Sequence, residues 1–232
     1  MHPEFSVVIT SGGTSKVLPN IIQRCLGFSD DIIIISNDQA FVKQQQKCFV
    51  EGVTYKFNPF KGYGAQKNYG GSLARYEWIV NFDDDEIPSY ELVTFLKQWP
   101  KLDMPSKVLR VQRINFCHGS PVSWGAWQED FQYRVYLKEY QWNNPPIHET
   151  LEVKKADVQK ISLPIFHLTA NHIAPFLKKT RAYRNKREGL SPKGYGKTFR
   201  LLKSLTNSLI RLEWLEGSNG IYLSLIRCIE RV

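Results

Sequence analysis

The sequence predicts an α/β fold, a mainly parallel sheet wrapped by helices. Three observations carry this. Strands alternate with helical segments four times within the first 99 residues, which is the pattern of crossover-connected parallel strands. The strands read as buried apolar runs, such as Phe5–Thr10 and Asp31–Ser36. The run Trp78–Phe82 is followed at once by Asp83, Asp84, Asp85 and Glu86, so a hydrophobic strand delivers carboxylates to the sheet edge where open α/β folds bind ligands.

The elements follow in order. Phe5–Thr10 is the first strand, and Ser11-Gly12-Gly13-Thr14-Ser15 is a loop that can approach a ligand closely and cap the next helix. Val17–Gly27 places Leu18, Ile21, Ile22, Cys25 and Leu26 at helical spacing, with Gly27 as its stop. Asp31–Ser36 is the second strand and ends at Asn37 and Asp38. Gln39–Phe49 is helical, and Val53–Phe57 is the third strand. Lys61–Gly64 is a flexible turn before a helix over Ala65–Arg75; Ile79–Phe82 is the fourth strand, and Pro88 is expected to end its pairing. Tyr90–Gln98 is a short amphipathic helix, and Pro100–Pro105 links the two halves. Val108–Phe116 alternates as a half-exposed strand. An aromatic loop with Trp124 and Trp127 leads to Glu129 and Asp130. Strands follow over Gln132–Leu137, with Arg134, and Ile161–Leu168, with His167, which reads as a satisfied core histidine. Residues 1–170 are expected to form the main domain, split into halves 1–99 and 106–170, and 171–232 a basic helical tail.

The charge is uneven. Residues 1–150 hold 15 Lys+Arg and 16 Asp+Glu, whereas residues 151–232 hold 16 and 6, so the net +9 lies wholly in the last third. Six of the ten residues Lys178–Arg187 are Lys or Arg, and Leu202, Leu205, Leu209 and Leu212 recur at helical spacing. Such basic amphipathic segments suit an anionic membrane surface; equally, they suit packing on the main domain with a solvated basic face. No run reaches the roughly 18 apolar residues of a membrane span, and no secretion signal is expected at Met1–Glu4. Cys25, Cys48, Cys117 and Cys228 form no CxxC pair, so reduced, mostly packed thiols are expected and a zinc site is not.

The acid cluster has two readings. Four adjacent carboxyls repel one another and gain from a cation, and hard oxygens suit Mg²⁺ or Mn²⁺ shared with substrate phosphates. The plain alternative is a solvated acidic turn. The turn Lys61–Gly64 lacks the full P-loop pattern, yet the helix after it offers backbone amides to an anion, with Lys67 and Asn68 in reach of a diphosphate.

Taken together, GYGAQKNYG at 62–70, WIVNFDDDE at 78–86, GAWQED at 125–130, PIHE at 146–149 and the later IFH resemble the family 2 glycosyltransferases of GT-A fold. The likeness is greatest to the small bacterial beta-glucosyltransferases of lipopolysaccharide core assembly. This resemblance implies a mixed sheet flanked by helices and an inverting, metal-dependent transfer from a nucleotide-diphosphate sugar, a UDP-sugar first among them, to a lipid-linked or oligosaccharide acceptor. It assigns the donor to Thr10, Ser11, Gly12, Ser36, Asn37, Asp38, Gly64, Lys67, Asn68, Asp83 and Asp84. The metal falls to Asp83, Asp85 and His148, the general base to Asp130 with Glu129 as rival, and the acceptor to Trp124, Trp127, Glu149 and Arg134. The sequence departs from the family at Ser36, where an Asp is usual, and at Ser11–Thr14, where Thr-Lys-Asn-Glu is usual. Both stretches touch the base and ribose in the family.

The chemistry matches these residues. A metal at Asp83 and Asp85 offsets the charge of a leaving diphosphate, and a carboxylate in reach takes the acceptor proton. Trp124 and Trp127 can stack on sugar faces or simply pack. Asp130 can instead pair with Arg134. The expected place of work is the cytoplasm, docked on the inner leaflet through residues 171–232, with no nucleic acid as partner. The other classes open to this pattern are a nucleotidyltransferase and a non-catalytic membrane- or polyanion-binding protein.

Overall fold

β1 (Phe5–Ser11) is flanked on both sides by parallel strands, β2 (Asp31–Ser36) and β4 (Trp78–Asp83), and β3 (Val53–Phe57) extends the sheet beyond β2. A computed structural model describes residues 5–99, 106–117, 119–122, 129–145 and 149–170. The chain divides into two compact units, Met1–Arg113 with Phe131–Phe166, and Ile114–Asp130 with His167–Val232. Residues 171–232, the linker 100–105, Trp124, Trp127 and His148 lie outside the described residues.

In the first unit the parallel half has the helical connections that the alternation of apolar runs predicts. α1 (Leu18–Cys25) buries Leu18, Ile21, Ile22 and Cys25. α2 (Gln39–Gln45) starts at Asp38, whose carboxylate accepts from the Phe41 amide, and it ends four residues before the expected Phe49. α3 (Tyr63–Ser72) starts two residues earlier than the sequence suggests and stops three earlier. α4 (Tyr90–Gln98) matches its expected bounds and is capped by the Ser89 hydroxyl.

The sheet is mixed rather than mainly parallel. β8 (Phe131–Leu137) runs antiparallel to β4, with Val80 opposite Val135, and β6 (Val108–Cys117) runs antiparallel to β8. With β9 (Val158–Ala170) and β5 (Glu86–Pro88), the order among the described residues is β3-β2-β1-β4-β8-β6-β9-β5. Pro88 therefore does not end pairing. The chain turns at Asp84-Asp85 and re-enters the sheet at its far edge. An edge strand tolerates a proline because the ring costs it no inward-facing donor.

Two apolar layers sandwich the parallel strands. Val7, Ile9, Ile32, Ile34, Val80 and Phe82 pack with α1, α4 and Trp99 on one side. Val8, Ile33, Ile35 and Ile79 form the other layer with Ala74, Tyr136 and Trp142. On this second side α3 lies hard against the strands. A Cβ on Gly70 would run into the Val8 side chain, and one on Gly71 would come within 3.2 Å of Ile79 Cδ1. The paired glycines let the helix close on the sheet, which brings Lys67 down to the strand ends. Among the described residues no helix is long and apolar enough to cross a membrane. Cys25 and Cys117 are buried free thiols and Cys48 is an exposed one, while Cys228 lies outside the described residues.

In the second unit the end of β6 turns back at Gly119 (φ 79°) into β7 (Ser120–Pro121), with Phe116 opposite Pro121. His167 is nearly buried and has a partner in Asn115.

Candidate active site

Asp83 ends β4 beside Thr10, its register partner on β1, and the Thr10 hydroxyl donates to Asp83 Oδ1 at 2.9 Å. Two cations share this carboxylate. Arg134 Nη2 donates to Oδ2 at 3.2 Å, and Lys67 Nζ lies 3.7 Å from Oδ1. Burial alone would raise the Asp83 carboxyl, but Lys67, Arg134 and the Thr10 hydrogen bond hold it well below the usual carboxylate range. It is ionised at any working pH.

Glu86 and Arg134 form the buried floor. Arg134 Nε donates to Glu86 Oε2 at 2.8 Å and Nη2 to Oε1 at 2.6 Å, while Arg113 Nη1 reaches Oε1 at 3.3 Å. Glu86 is fully buried and Arg134 nearly so. Burial would lower the Arg134 guanidinium, yet Glu86 and Asp83 push it upward, so its charge is fixed. Such a pair is tolerable inside a protein only because the fork geometry satisfies both partners.

Lys67, on α3, is also buried. It pairs with Glu149 Oε1 at 2.7 Å and stands 4.4 Å from the Trp142 ring centroid. Asn68 commits both ends of its amide to the Trp142 backbone, at 2.8 Å each. Asn144 accepts from the Ala65 amide at 3.2 Å and donates to Lys61 O at 2.7 Å. A Cβ on Gly64 would collide with the Asn143 carbonyl. The α3 start that the sequence offers to an anion is thus occupied by the loop 142–145.

Asp84 holds the loop after β1. It accepts from the Ser11 hydroxyl at 2.7 Å and the Gly12 amide at 3.1 Å, its own amide donates to Thr10 O at 3.1 Å, and its carbonyl accepts from the Ser15 hydroxyl. Burial, with Asp85 and Asp83 nearby, pushes its carboxyl up against the lowering effect of Ser11 and Gly12. At the neighbouring end of β2, Ser36 is buried and its hydroxyl accepts from the Asp38 amide at 3.1 Å; Asn37 is exposed.

The family described as Glycosyl transferase family 2 matches residues 6–156 of this chain. The chain belongs to glycosyltransferase family 2. The match runs from β1 to the turn before β9, so it includes every residue just described. With the mixed helix-flanked sheet, this makes the domain a GT-A fold. Similar solved structures include residues 1–349 of S. aureus TarS, at 12% identity over 79% of this chain and 65% of that one, with a TM-score of 0.47. They also include that fragment in complex with UDP-GlcNAc (12%, 79% and 66%, TM-score 0.45) and S. aureus TarS (12%, 88% and 43%, TM-score 0.45). The chain spans less than two thirds of the length of these proteins.

For this family 2 glycosyltransferase, the first unit brings together Thr10, Ser11, Gly12, Lys67, Asp83, Asp84, Arg134 and Glu149 from the expected set, with Ser36–Asp38 on the adjoining strand end. Asp130 and Glu129 belong to the second unit, where Asp130 is half-buried and Glu129 exposed. Arg134 is spent on Glu86 and Asp83, so its place is the floor of the acid cluster. Sequence reasoning did not foresee the Glu86–Arg134–Arg113 floor. The alternation of β6 carried a signal, because Arg113 and Asn115 break the apolar rhythm that Leu109 and Val111 begin.

The donor set suits a hard cation. Among the described residues, Asp84, Asp85, Glu86 and Glu149 accompany Asp83, and Lys67, Arg113 and Arg134 pair with Asp83, Glu86 and Glu149. Asp83, Asp84 and Asp85 offer carboxylate oxygens at a strand end, the hard donors that a divalent ion takes. Among the described residues no three His, Cys, Asp or Glu side chains converge as a complete ligand set, so phosphate or water oxygens would supply the rest of the shell.

Proposed function

We propose that this chain transfers a sugar from a nucleotide-diphosphate donor to a saccharide hydroxyl, inverting the anomeric carbon. The observation that carries the reading is the Asp83 carboxylate, ionised and fixed at the end of β4 at the head of a run of acids. Asp83 and Asp85, with His148, would hold a Mg²⁺ or Mn²⁺ ion, whose Lewis acidity offsets the charge of the departing diphosphate when bound.

The protein's own groups do the rest. Lys67 and Arg134 orient Asp83 and fix its ionisation. Asp84 holds the Ser11–Ser15 loop, which in this reading lines the nucleotide together with Ser36, Asn37 and Asp38. Asp130 accepts the proton of the acceptor hydroxyl as that oxygen attacks; its half-buried carboxylate favours it over the exposed Glu129. Trp124 and Trp127 offer faces to the sugars. UDP-sugars are the first donors to test.

The acceptor we infer is a lipid-linked saccharide of surface glycan synthesis, as in lipopolysaccharide assembly, met at the inner leaflet. The charge asymmetry of the sequence supports this, since residues 151–232 carry a net +10.

Calorimetric titration of UDP, ADP, GDP and CMP, each with and without Mn²⁺, tests the donor site on the wild type and on Asp85→Ala. Metal-dependent binding of one nucleotide, lost in Asp85→Ala, is the expected result. Absence of binding by all four, under both conditions, would overturn the reading in favour of a binding protein on this fold.

A further inference from the structure

Asn115, on β6 in the second unit, joins Asp130 to His167. Its Nδ2 donates to Asp130 Oδ2 at 2.9 Å, and its Oδ1 lies 2.6 Å from His167 Nδ1. The chemistry fixes every donor in this chain. A carboxylate only accepts, so the amide nitrogen must face Asp130. The amide oxygen then faces the imidazole and also only accepts, so His167 Nδ1 carries a hydrogen. The two hydrogen bonds run in one sense, from imidazole to amide to carboxylate.

The arrangement is rigid. Asn115 is 2% exposed and His167 9%. The Asn115 carbonyl accepts from the Val122 amide at 2.8 Å, so the β6–β7 hairpin pins its backbone while its side chain is held at both ends. Three separate stretches of the chain converge on one half-buried carboxylate.

We propose that Asn115 and His167 are positioning residues for the general base. Asn115 fixes the rotamer of Asp130 and stabilises its ionised form, and His167 fixes the orientation of the Asn115 amide. This rests on the reading of Asp130 as the base. In the step served, the acceptor oxygen bonds to the anomeric carbon and its proton passes to an Asp130 oxygen. The bond from the anomeric carbon to the diphosphate breaks, and its electron pair leaves with the diphosphate.

The test titrates the Asp130 carboxyl by carbon NMR in the full chain, which needs no substrate. Asn115→Ala is expected to raise the Asp130 pKa by about one unit, because a donor to the charged form is lost. His167→Ala is expected to raise it by less, and His167→Gln, whose side-chain amide can donate to Asn115, to restore it. An unchanged Asp130 titration in folded Asn115→Ala, with its melting temperature recorded alongside, would overturn the proposal.

UDP release from UDP-glucose, with water as stand-in acceptor, separates the two readings. If Asp130→Asn keeps the wild-type rate while the NMR coupling holds, the base assignment fails and the hydrogen-bonded chain stands. If Asp130→Asn abolishes release, Asn115→Ala should lower kcat about tenfold with KM little changed. A rise in KM at constant kcat would overturn the positioning role.

Discussion

Arg134 Nη2 lies 3.2 Å from Asp83 Oδ2 while the same nitrogen sits 2.6 Å from Glu86 Oε1. One guanidinium thus ties an acid of the candidate active site to a carboxylate with no exposure to solvent. Arg134→Met should leave Glu86 buried with Arg113 at 3.3 Å and the Asp83 amide at 3.2 Å, and without its bidentate partner. Breaking a buried pair in this way costs about 3–5 kcal/mol. Urea unfolding should report that loss, and the double variant Arg134→Met with Glu86→Leu should recover much of it.

The two neighbouring aspartates should respond oppositely to pH. The Asp83 pKa in the folded state lies below its unfolded value. Its contribution to stability is therefore present above the ordinary Asp range and is lost as pH falls through the folded value. For Asp84 the folded value is raised, so its ionisation detracts from stability once pH exceeds the ordinary Asp range. Asp83→Asn should lower the urea midpoint at neutral pH, and that difference should shrink in acid. Asp84→Asn should be milder at neutral pH, with its relative gain disappearing in acid.

Gly70→Ala gives a test by sign. In an open helix the change stabilises by roughly 1 kcal/mol. Here the new methyl would meet Val8 across the closed α3–β1 contact, and overpacking of that kind costs about 1–3 kcal/mol. A lower melting temperature is expected. A higher one would mean that α3 stands further from the sheet.

Association with anionic vesicles should depend on the basic tail. Replacing Lys178, Lys179 and Arg181 with Gln should weaken co-sedimentation with phosphatidylglycerol vesicles, and raised salt should do the same. Binding that persists through both changes would point to apolar rather than electrostatic attachment.

The parallel half of the fold was legible in the sequence because β1, β2 and β4 are largely apolar runs and α1 and α4 carry clear stripes. Asp31–Ser36 and Tyr90–Gln98 match to the residue. The start of α3 was obscured because Lys61, Gly62 and Gly64 look like a turn. Tertiary contacts, Asn144 on the Ala65 amide among them, hold that first turn in place. β5 was hidden by Pro88, whose tolerance depends on an edge position that sequence cannot supply. In the site, the acids at the end of β4 stand out by composition. Their partners do not, because Lys67, Arg113 and Arg134 come from three elements that only folding brings together.

The acid turn is anchored at both ends, by β4 before it and β5 after it, each paired within the sheet. The conformational freedom of Asp84 and Asp85 is therefore lost when the protein folds rather than when a ligand arrives. A charged guest would meet a finished surface, and the entropic penalty of its capture would fall mainly on the guest itself.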